Sequence, residues 1–514
     1  VAQPRLARPI AALHALPWRQ LLLAFALGAA MPFAFSPHEF KPLAILALAG
    51  ALHLARRQAP WATGFAFGLG WFGLGAWWLA VTLHTYGPVV WPIAVLAVLL
   101  LGAMLALFPA LWCGLSLRFA GRGAPLLLVF PAVVALLEWL RGCFLTGLPW
   151  TSLGTLLLDT PAIGWGAVVG VYGAALLPAL FAAALALLAD KPTRQPAAIA
   201  LGVALLLFVL APSPYAADGP AQKVALIQAN IPEDRKWDTA FLLETLRRYR
   251  SLSTAAATEA DLLLWPEASL PFFLEEHPEW DQWLADLLAG WQRPLLYGGL
   301  KLGPQGEATN GLFLATPGDA RTAAARPFVG KRHLVPFGEY VPEWLPFIRT
   351  LGPGVGDFRP VNGGPLLLTQ GDNRFGPLIC YEALFPEEAR ARVAAGANVL
   401  VTVTNDAWYD RSPAAWQHLQ GARMRAVESG RYLLRAANTG VSAIVAPDGR
   451  IEATMPWWQQ GSVVGEFRTA SSMTPYSRFG DWPMAGLAVT LLLIGYGLRR
   501  GVGSTTEGTE DTEK

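Results

Sequence analysis

Apolar stretches of roughly 20 residues, each long enough as a helix to cross a bilayer, recur along this chain and limit its folds more than any other feature. Seven precede residue 215, near 20–36, 40–55, 61–83, 89–117, 124–142, 162–189 and 195–212, and an eighth lies near 482–498. The second is short and the fourth long. A polar-containing region, 213–470, separates the seventh from the eighth. Composition agrees with this division. Charged residues make up only 15% of the 514 residues and hydrophobic ones 54%, whereas soluble domains carry about 25% charged residues. Much of the chain therefore does not face water, and its length calls for at least two units. A net charge of +2 gives no case for a nucleic-acid partner. Cys113, Cys143 and Cys380 lie far apart with no CxxC among them, which argues against a zinc site or a disulfide framework. The first apolar segment lacks a small-residue cleavage site and runs straight on to further apolar segments, unlike a cleavable signal peptide.

Loop charges give the orientation. Arg5, Arg8 and Arg19 precede the first segment, Arg56 and Arg57 follow the second, and Arg118 and Arg122 follow the fourth. Lys191 and Arg194 follow the sixth, and Arg499 and Arg500 the eighth. The alternate loops hold little beyond Lys41 and Arg141. Positive residues stay cytoplasmic, so both termini are expected inside and residues 213–470 on the outer face. The expected organisation is seven spanning helices in 1–212, an outer-face catalytic domain in 213–470, a closing helix in 471–500, and a disordered polar tail in 501–514. A transporter would need several ionisable residues within the spans. Glu138 and Arg141, three apart on one helix, are the main candidates, and a structural or substrate-seating role suits them better.

Between 221 and 467 the pattern changes to short β-branched runs alternating with amphipathic stretches, the mark of a layered α/β domain. Strands are expected at 224–230, 261–267, 294–300, 311–316, 375–382, 398–404 and 442–447, and helices at 240–258, 386–396 and 413–429.

Three residues at or just beyond strand ends carry potential chemistry. Cys380 follows an apolar strand and precedes a turn into a helix, where backbone N–H groups favour a thiolate and an oxyanion. A lone cysteine is as often a small buried hydrophobe. Glu267, after Trp265 and Pro266, suits a general base sheltered from water; a helix cap or a surface charge is the plainer alternative. Lys331 opens a Pro- and Gly-punctuated loop and suits an oxyanion or carboxylate partner, although a lysine beside Arg332 is usually a solvated charge. His333 is the competing base for a Cys–His pair.

Singly these signals are weak, but their order is specific. Glu in WPEASLP (265–271), Lys in KRHLVPFGEYVP (331–342) and Cys in ICYEALFP (379–386) resemble the Glu–Lys–Cys triad of the nitrilase superfamily. Further motifs are EWLRG–LTGLPW (138–150), NIPEDRKW (230–237), TNDAWY (404–409), AANTGVSAIVAPDGRI (436–451) and TPYSRFGDW (474–482). With them, nearly the whole chain resembles the apolipoprotein N-acyltransferases, the membrane-embedded branch of that superfamily. The resemblance implies a helical bundle of about eight spans carrying an α/β nitrilase-like αββα sandwich, in a bacterial inner membrane with the catalytic domain periplasmic. It implies a phospholipid acyl donor, phosphatidylethanolamine at the sn-1 position, and a diacylated apolipoprotein acceptor, joined through a Cys380 thioester with no metal or cofactor. Glu267 is then the base. Lys331 is the oxyanion partner, together with a backbone N–H near Tyr381. Glu339 and Glu382 take orienting roles, and Trp237, Asn310 and Tyr381 surround the pocket, though an exposed tryptophan also suits interfacial anchoring. The apolar loop 343–358, with Trp344, Leu345, Phe347, Ile348 and Leu351, reads as a lid or arm that dips into the bilayer. The rival readings are a membrane-tethered amidase, which ends with water as acceptor, and a non-enzymatic transporter or scaffold.

Overall fold

The computed structural model describes residues 17–87, 89–303, 306–319, 321–343 and 357–507. Each expected apolar segment folds as helix: Trp18–Ala30, Lys41–Arg57, Pro60–Gly68 with Trp78–Thr85, Trp91–Ala120, Leu126–Cys143, Gly166–Ala174 with Leu176–Leu188, Arg194–Val209, and Trp482–Glu507. Length and composition of single unbroken helices set a stricter test of spanning than apolar runs do. Among the described residues four helices qualify, or up to six if each bent pair forms one span. The first helix of each bent pair is itself irregular: it ends in a π-helical turn, Leu69–Gly73, in one and is kinked at Gly170, φ +69°, in the other. Trp18–Ala34 is shorter than a full span. Helices approach closely through small residues: a Cβ added at Gly64 would lie 2.2 Å from the carbonyl oxygen of Pro109. The closing helix continues to Glu507, past the point where a tail was expected to begin, and 508–514 lie outside the described residues. So do Trp344, Leu345, Phe347, Ile348 and Leu351 of the expected lid.

The α/β region forms two sheets. The first holds β1 (Ala221–Gln228), β2 (Leu262–Leu264), β3 (Leu270–Phe273), β4 (Leu295–Leu302), β5 (Ala308–Ala315) and β6 (Phe328–Gly330). The second holds β7 (Leu368–Gln370), β8 (Asn373–Ile379), β9 (Val399–Thr404), β10 (Leu433–Ala437), β11 (Ser442–Val445) and β12 (Ile451–Met455). The last strand, β13 (Gly461–Arg468), returns to the first sheet, whose order is β13-β1-β2-β4-β5-β6 with β3 beside β4; the second sheet runs β12-β11-β10-β9-β8-β7. Strand periodicity builds the layers. Val224 and Leu226 of β1 meet Val399, Val401 and Val403 of β9 between the sheets. Ala225 and Ile227 face outward onto helices Leu242–Ala256 and Pro278–Trp291. Leu400 and Leu433 face the opposite outer layer, helices Pro386–Ala394 and Ala414–Ser429. The result is a helix–sheet–sheet–helix sandwich.

The two halves of the molecule share packing. Met424 and Val427 join a buried cluster with Ala132, Leu157 and Met484 of the apolar helices and their loops. Trp78 and Trp150 pack with Tyr381, Leu384 and Phe385. Between them, Glu138 and Arg141 form a fully buried pair, Arg141 Nη2 lying 2.9 Å from Glu138 Oε1. Arg141 also donates to the Trp150 carbonyl at 2.9 Å, and Glu138 Oε2 accepts from the Leu153 N–H. The pair ties its helix to the loop that faces the α/β domain.

Candidate active site

The parallel strands β1, β2, β8, β9 and β10 send their carboxyl ends into one set of loops, the place where layered sheets gather polar side chains. Cys380 follows β8 directly and takes φ +53°, so that the chain turns sharply into the 3-10 helix Cys380–Leu384. Glu382 secures this elbow from below. Its Oε2 accepts from the Ile379 N–H at 2.8 Å, and its Oε1 accepts from the N–H groups of Arg332 and His333 at 2.6 and 3.1 Å. Arg392 lies 3.3 Å from Oε2. The buried Glu382 therefore ties the turn carrying Cys380 to the loop carrying Lys331.

Glu267 lies past β2 in a loop pressed against β4. A Cβ on Gly298 would come within 2.3 Å of the Pro266 carbonyl oxygen, so only glycine admits this approach. The Glu267 carboxylate is buried and held on both oxygens: Oε1 accepts from Asn310 Nδ2 at 2.7 Å and faces Lys331 Nζ at 3.4 Å, while Oε2 accepts from the Asn405 N–H at 2.9 Å. Lys331 follows β6, with its N–H on the Asn310 carbonyl, and donates to Glu339 Oε1 at 2.7 Å. Burial works against the Lys331 charge, but the carboxylates of Glu339 and Glu267 outweigh it and hold the ammonium well above its usual pKa. For the Cys380 thiol, burial and then the Glu267 charge push the pKa well up, against the pull of Lys331. Both effects favour the protonated thiol over the thiolate.

The structure thus brings together Glu267, Lys331 and Cys380 with Asn310 and Glu339 directly on them. Tyr381 sits one position past the thiol, and its hydroxyl donates to the Gly147 carbonyl at 2.9 Å. Trp237 is removed from this cluster. It is 48% exposed and donates from Nε1 to Glu233 Oε1 at 3.3 Å, a place at the rim. His333 is not a partner of the thiol: its ring stacks on Phe385 at 3.8 Å, and burial lowers its pKa.

Several groups of the site escape sequence reasoning. Asn405 holds Glu267 and also donates to Glu233 Oε2. Lys236 donates to the Glu267 carbonyl at 3.0 Å, with burial lowering its pKa. These residues stand inside NIPEDRKW and TNDAWY, which carry the signal as motifs, but nothing in their spacing says that residues 172 positions apart meet.

The two packed sheets that hold this buried thiol, carboxylate and lysine form a carbon–nitrogen hydrolase domain, whose family model matches residues 223–472. The apolipoprotein N-acyltransferase N-terminal domain model matches residues 27–185. The apolipoprotein N-acyltransferase of Azotobacter vinelandii is 39% identical, covering 94% of this chain and 95% of that protein. Those of Geobacter metallireducens and Ralstonia nicotianae are 36% and 37% identical, over 93% and 98% of this chain and 96% of each relative. The chain belongs to the apolipoprotein N-acyltransferase family and is an acyltransferase built on apolar helices.

Proposed function

We propose that this enzyme moves an acyl chain from a phospholipid, phosphatidylethanolamine at sn-1, to the α-amine of the diacylglyceryl cysteine that begins an apolipoprotein. Glu267 takes the thiol proton as Cys380 Sγ attacks the ester carbonyl. The carbonyl oxygen becomes an oxyanion held by Lys331 and the Tyr381 N–H. The C–O bond then breaks, and the lysophospholipid alkoxide takes the proton from Glu267. In the second half the amine attacks the thioester, Glu267 removes its extra proton, and as the C–S bond breaks the sulfur takes that proton from Glu267, giving the amide and the free thiol. Asn310 and Asn405 keep the Glu267 carboxylate aimed, Glu339 keeps Lys331 in place, Glu382 sets the elbow, and Trp237 lines the route of the acceptor. In the same reading the chain crosses a bacterial inner membrane about eight times, with both termini cytoplasmic and the catalytic domain periplasmic.

The observation that carries this reading is the contact of the site with the apolar helices: Tyr381 hydrogen-bonds to Gly147, and Trp78 and Trp150 pack over the elbow. Acyl chains leave a bilayer at a cost of about 0.8 kcal/mol per methylene, so a thiol for lipid-anchored substrates belongs against such helices. Intact mass of the enzyme after incubation with phosphatidylethanolamine vesicles is the test. A long-chain acyl adduct, lost on alkylation of Cys380 and absent in Cys380→Ser, is expected. An adduct that persists in Cys380→Ser, or none in the wild type, sinks the proposal. Release of free fatty acid in place of acylated lipopeptide would favour the amidase-like reading.

A further inference from the structure

One buried polar group next to the thiol has no part in the mechanism above. His418 lies on helix Ala414–Ser429 with no exposed surface, and its Nε2 is 2.9 Å from the carbonyl oxygen of Cys380. A carbonyl only accepts, so Nε2 donates to it. The other ring nitrogen, Nδ1, faces Asp406 Oδ1 at 2.9 Å. Asp406 is itself anchored: its Oδ2 accepts from Arg435 Nη2 at 2.7 Å and its Oδ1 from Thr404 Oγ1 at 2.9 Å. Burial opposes the charge on Asp406, yet Arg435 and His418 hold it down at about 2, so the brace is a carboxylate at any working pH. From the other side the Trp150 ring stacks on His418 at 5.9 Å, fixed by its own N–H on Gln417 at 2.7 Å.

The group that His418 grips is half of one peptide plane. In a trans peptide the carbonyl oxygen of Cys380 and the N–H of Tyr381 point in opposite directions and turn together. Tyr381 lies in the first turn of its helix, where N–H groups have no intrahelical partner. Cys380 sits in the left-handed region, a conformation that a non-glycine residue keeps only when its surroundings hold it. We propose that His418, braced by Asp406 and Arg435, is the positioning residue of the oxyanion site: by holding the Cys380 carbonyl it aims the Tyr381 N–H at the developing oxyanion. The inference rests on the acyl-transfer reading above.

Two reactions of the same sulfur test it. Thioester formation from phosphatidylethanolamine passes through an oxyanion, whereas alkylation by iodoacetamide does not. His418→Leu in the full-length enzyme removes the donor, and His418→Gln keeps an amide donor at the reach of Nε2. We expect the rate of thioester formation to fall on the order of 10²-fold in His418→Leu, with the alkylation rate of Cys380 close to wild type and most of the loss recovered in His418→Gln. A parallel fall in both reactions would make His418 a support of the elbow only, and an unchanged thioester rate, or no recovery with Gln, would remove the hydrogen bond as the cause; each overturns the inference. If His418→Leu does not accumulate, His418→Asn, whose amide is too short to reach the carbonyl, takes its place. A wild-type enzyme that forms no thioester would instead refute the acyl-transfer reading itself.

Discussion

Two buried clusters of charge, one among the apolar helices and one in the α/β domain, are built on opposite plans. Glu138 and Arg141 stand three residues apart on one helix, and both carboxylate oxygens are within 3.0 Å of Arg141 Nη2. One carboxylate meets one cation, with backbone groups filling the remaining positions. Glu267 comes from one loop and Lys331 and Glu339 from another, two carboxylates share one ammonium, and the buried Asn310 Oδ1 has no partner among the described residues. A closed pair of this kind fixes geometry and little else. An unbalanced, partly unsatisfied cluster beside a thiol stores the means to move a proton. Burial is common to both, so local charge balance is what separates the brace from the proposed reaction centre.

The comparison breaks if the two clusters respond alike to loss of a carboxylate. Glu267→Gln keeps the shape but not the base, and acyl-enzyme formation should fall by about 10³-fold with the thermal midpoint in detergent near wild type; rapid-quench mass spectrometry reads the rate. Glu138→Gln should do the reverse. It leaves Arg141 short of its counter-charge in a buried site, a loss on the order of 3–5 kcal/mol, seen as a lower midpoint and lower yield, while the folded fraction still forms acyl-enzyme. The thiol sharpens the contrast. Because burial and Glu267 raise its pKa, Cys380 is protonated at neutral pH, and its alkylation rate should keep climbing with pH beyond the ordinary thiol value of about 8.5; a plateau below pH 8 would mean a standing thiolate. The smallest effect belongs to Tyr381→Phe. Removing its hydroxyl from the Gly147 carbonyl should cost about 1 kcal/mol of stability, measured by the same melting experiment.

The sequence discloses the apolar helices by length and most strands by their β-branched runs. The strand expected at 398–404 is β9 at Val399–Thr404, and the helix expected at 413–429 is Ala414–Ser429. What it hides has physical causes. Strand β10 contains Arg435, which looks like a surface charge until Asp406 neutralises it inside. Strand β13 alternates weakly and starts at Gly461 because it is an edge strand. Helix Pro278–Trp291 presents Leu284, Leu288 and Trp291 at helical spacing, a pattern that the sequence does carry. The number of spans is not readable from apolar runs alone, since two of them fold as bent helix pairs. In the site, Glu267, Lys331 and Cys380 stand in recognisable motifs. His418 sits in an ordinary amphipathic helix and acquires its partners only through the pairing of β8, β9 and β10.

Strand β13 has a further consequence. It pairs with β1 along its whole length, from Ala221 opposite Arg468 to Gln228 opposite Gly461, and just beyond that ladder Gly219 N–H meets the Thr469 carbonyl. The chain therefore enters and leaves the α/β domain side by side. A ribosome adding 5–20 residues per second completes the partner of β1 about 12–50 s after β1 itself. For that interval the first sheet lacks an edge strand, and only some 15 residues then separate its completion from the closing helix. Assembly of the α/β domain and synthesis of that helix are consequently near-simultaneous events in the life of each new molecule, and a chain stalled before residue 461 would hold its thiol beside an unfinished sheet.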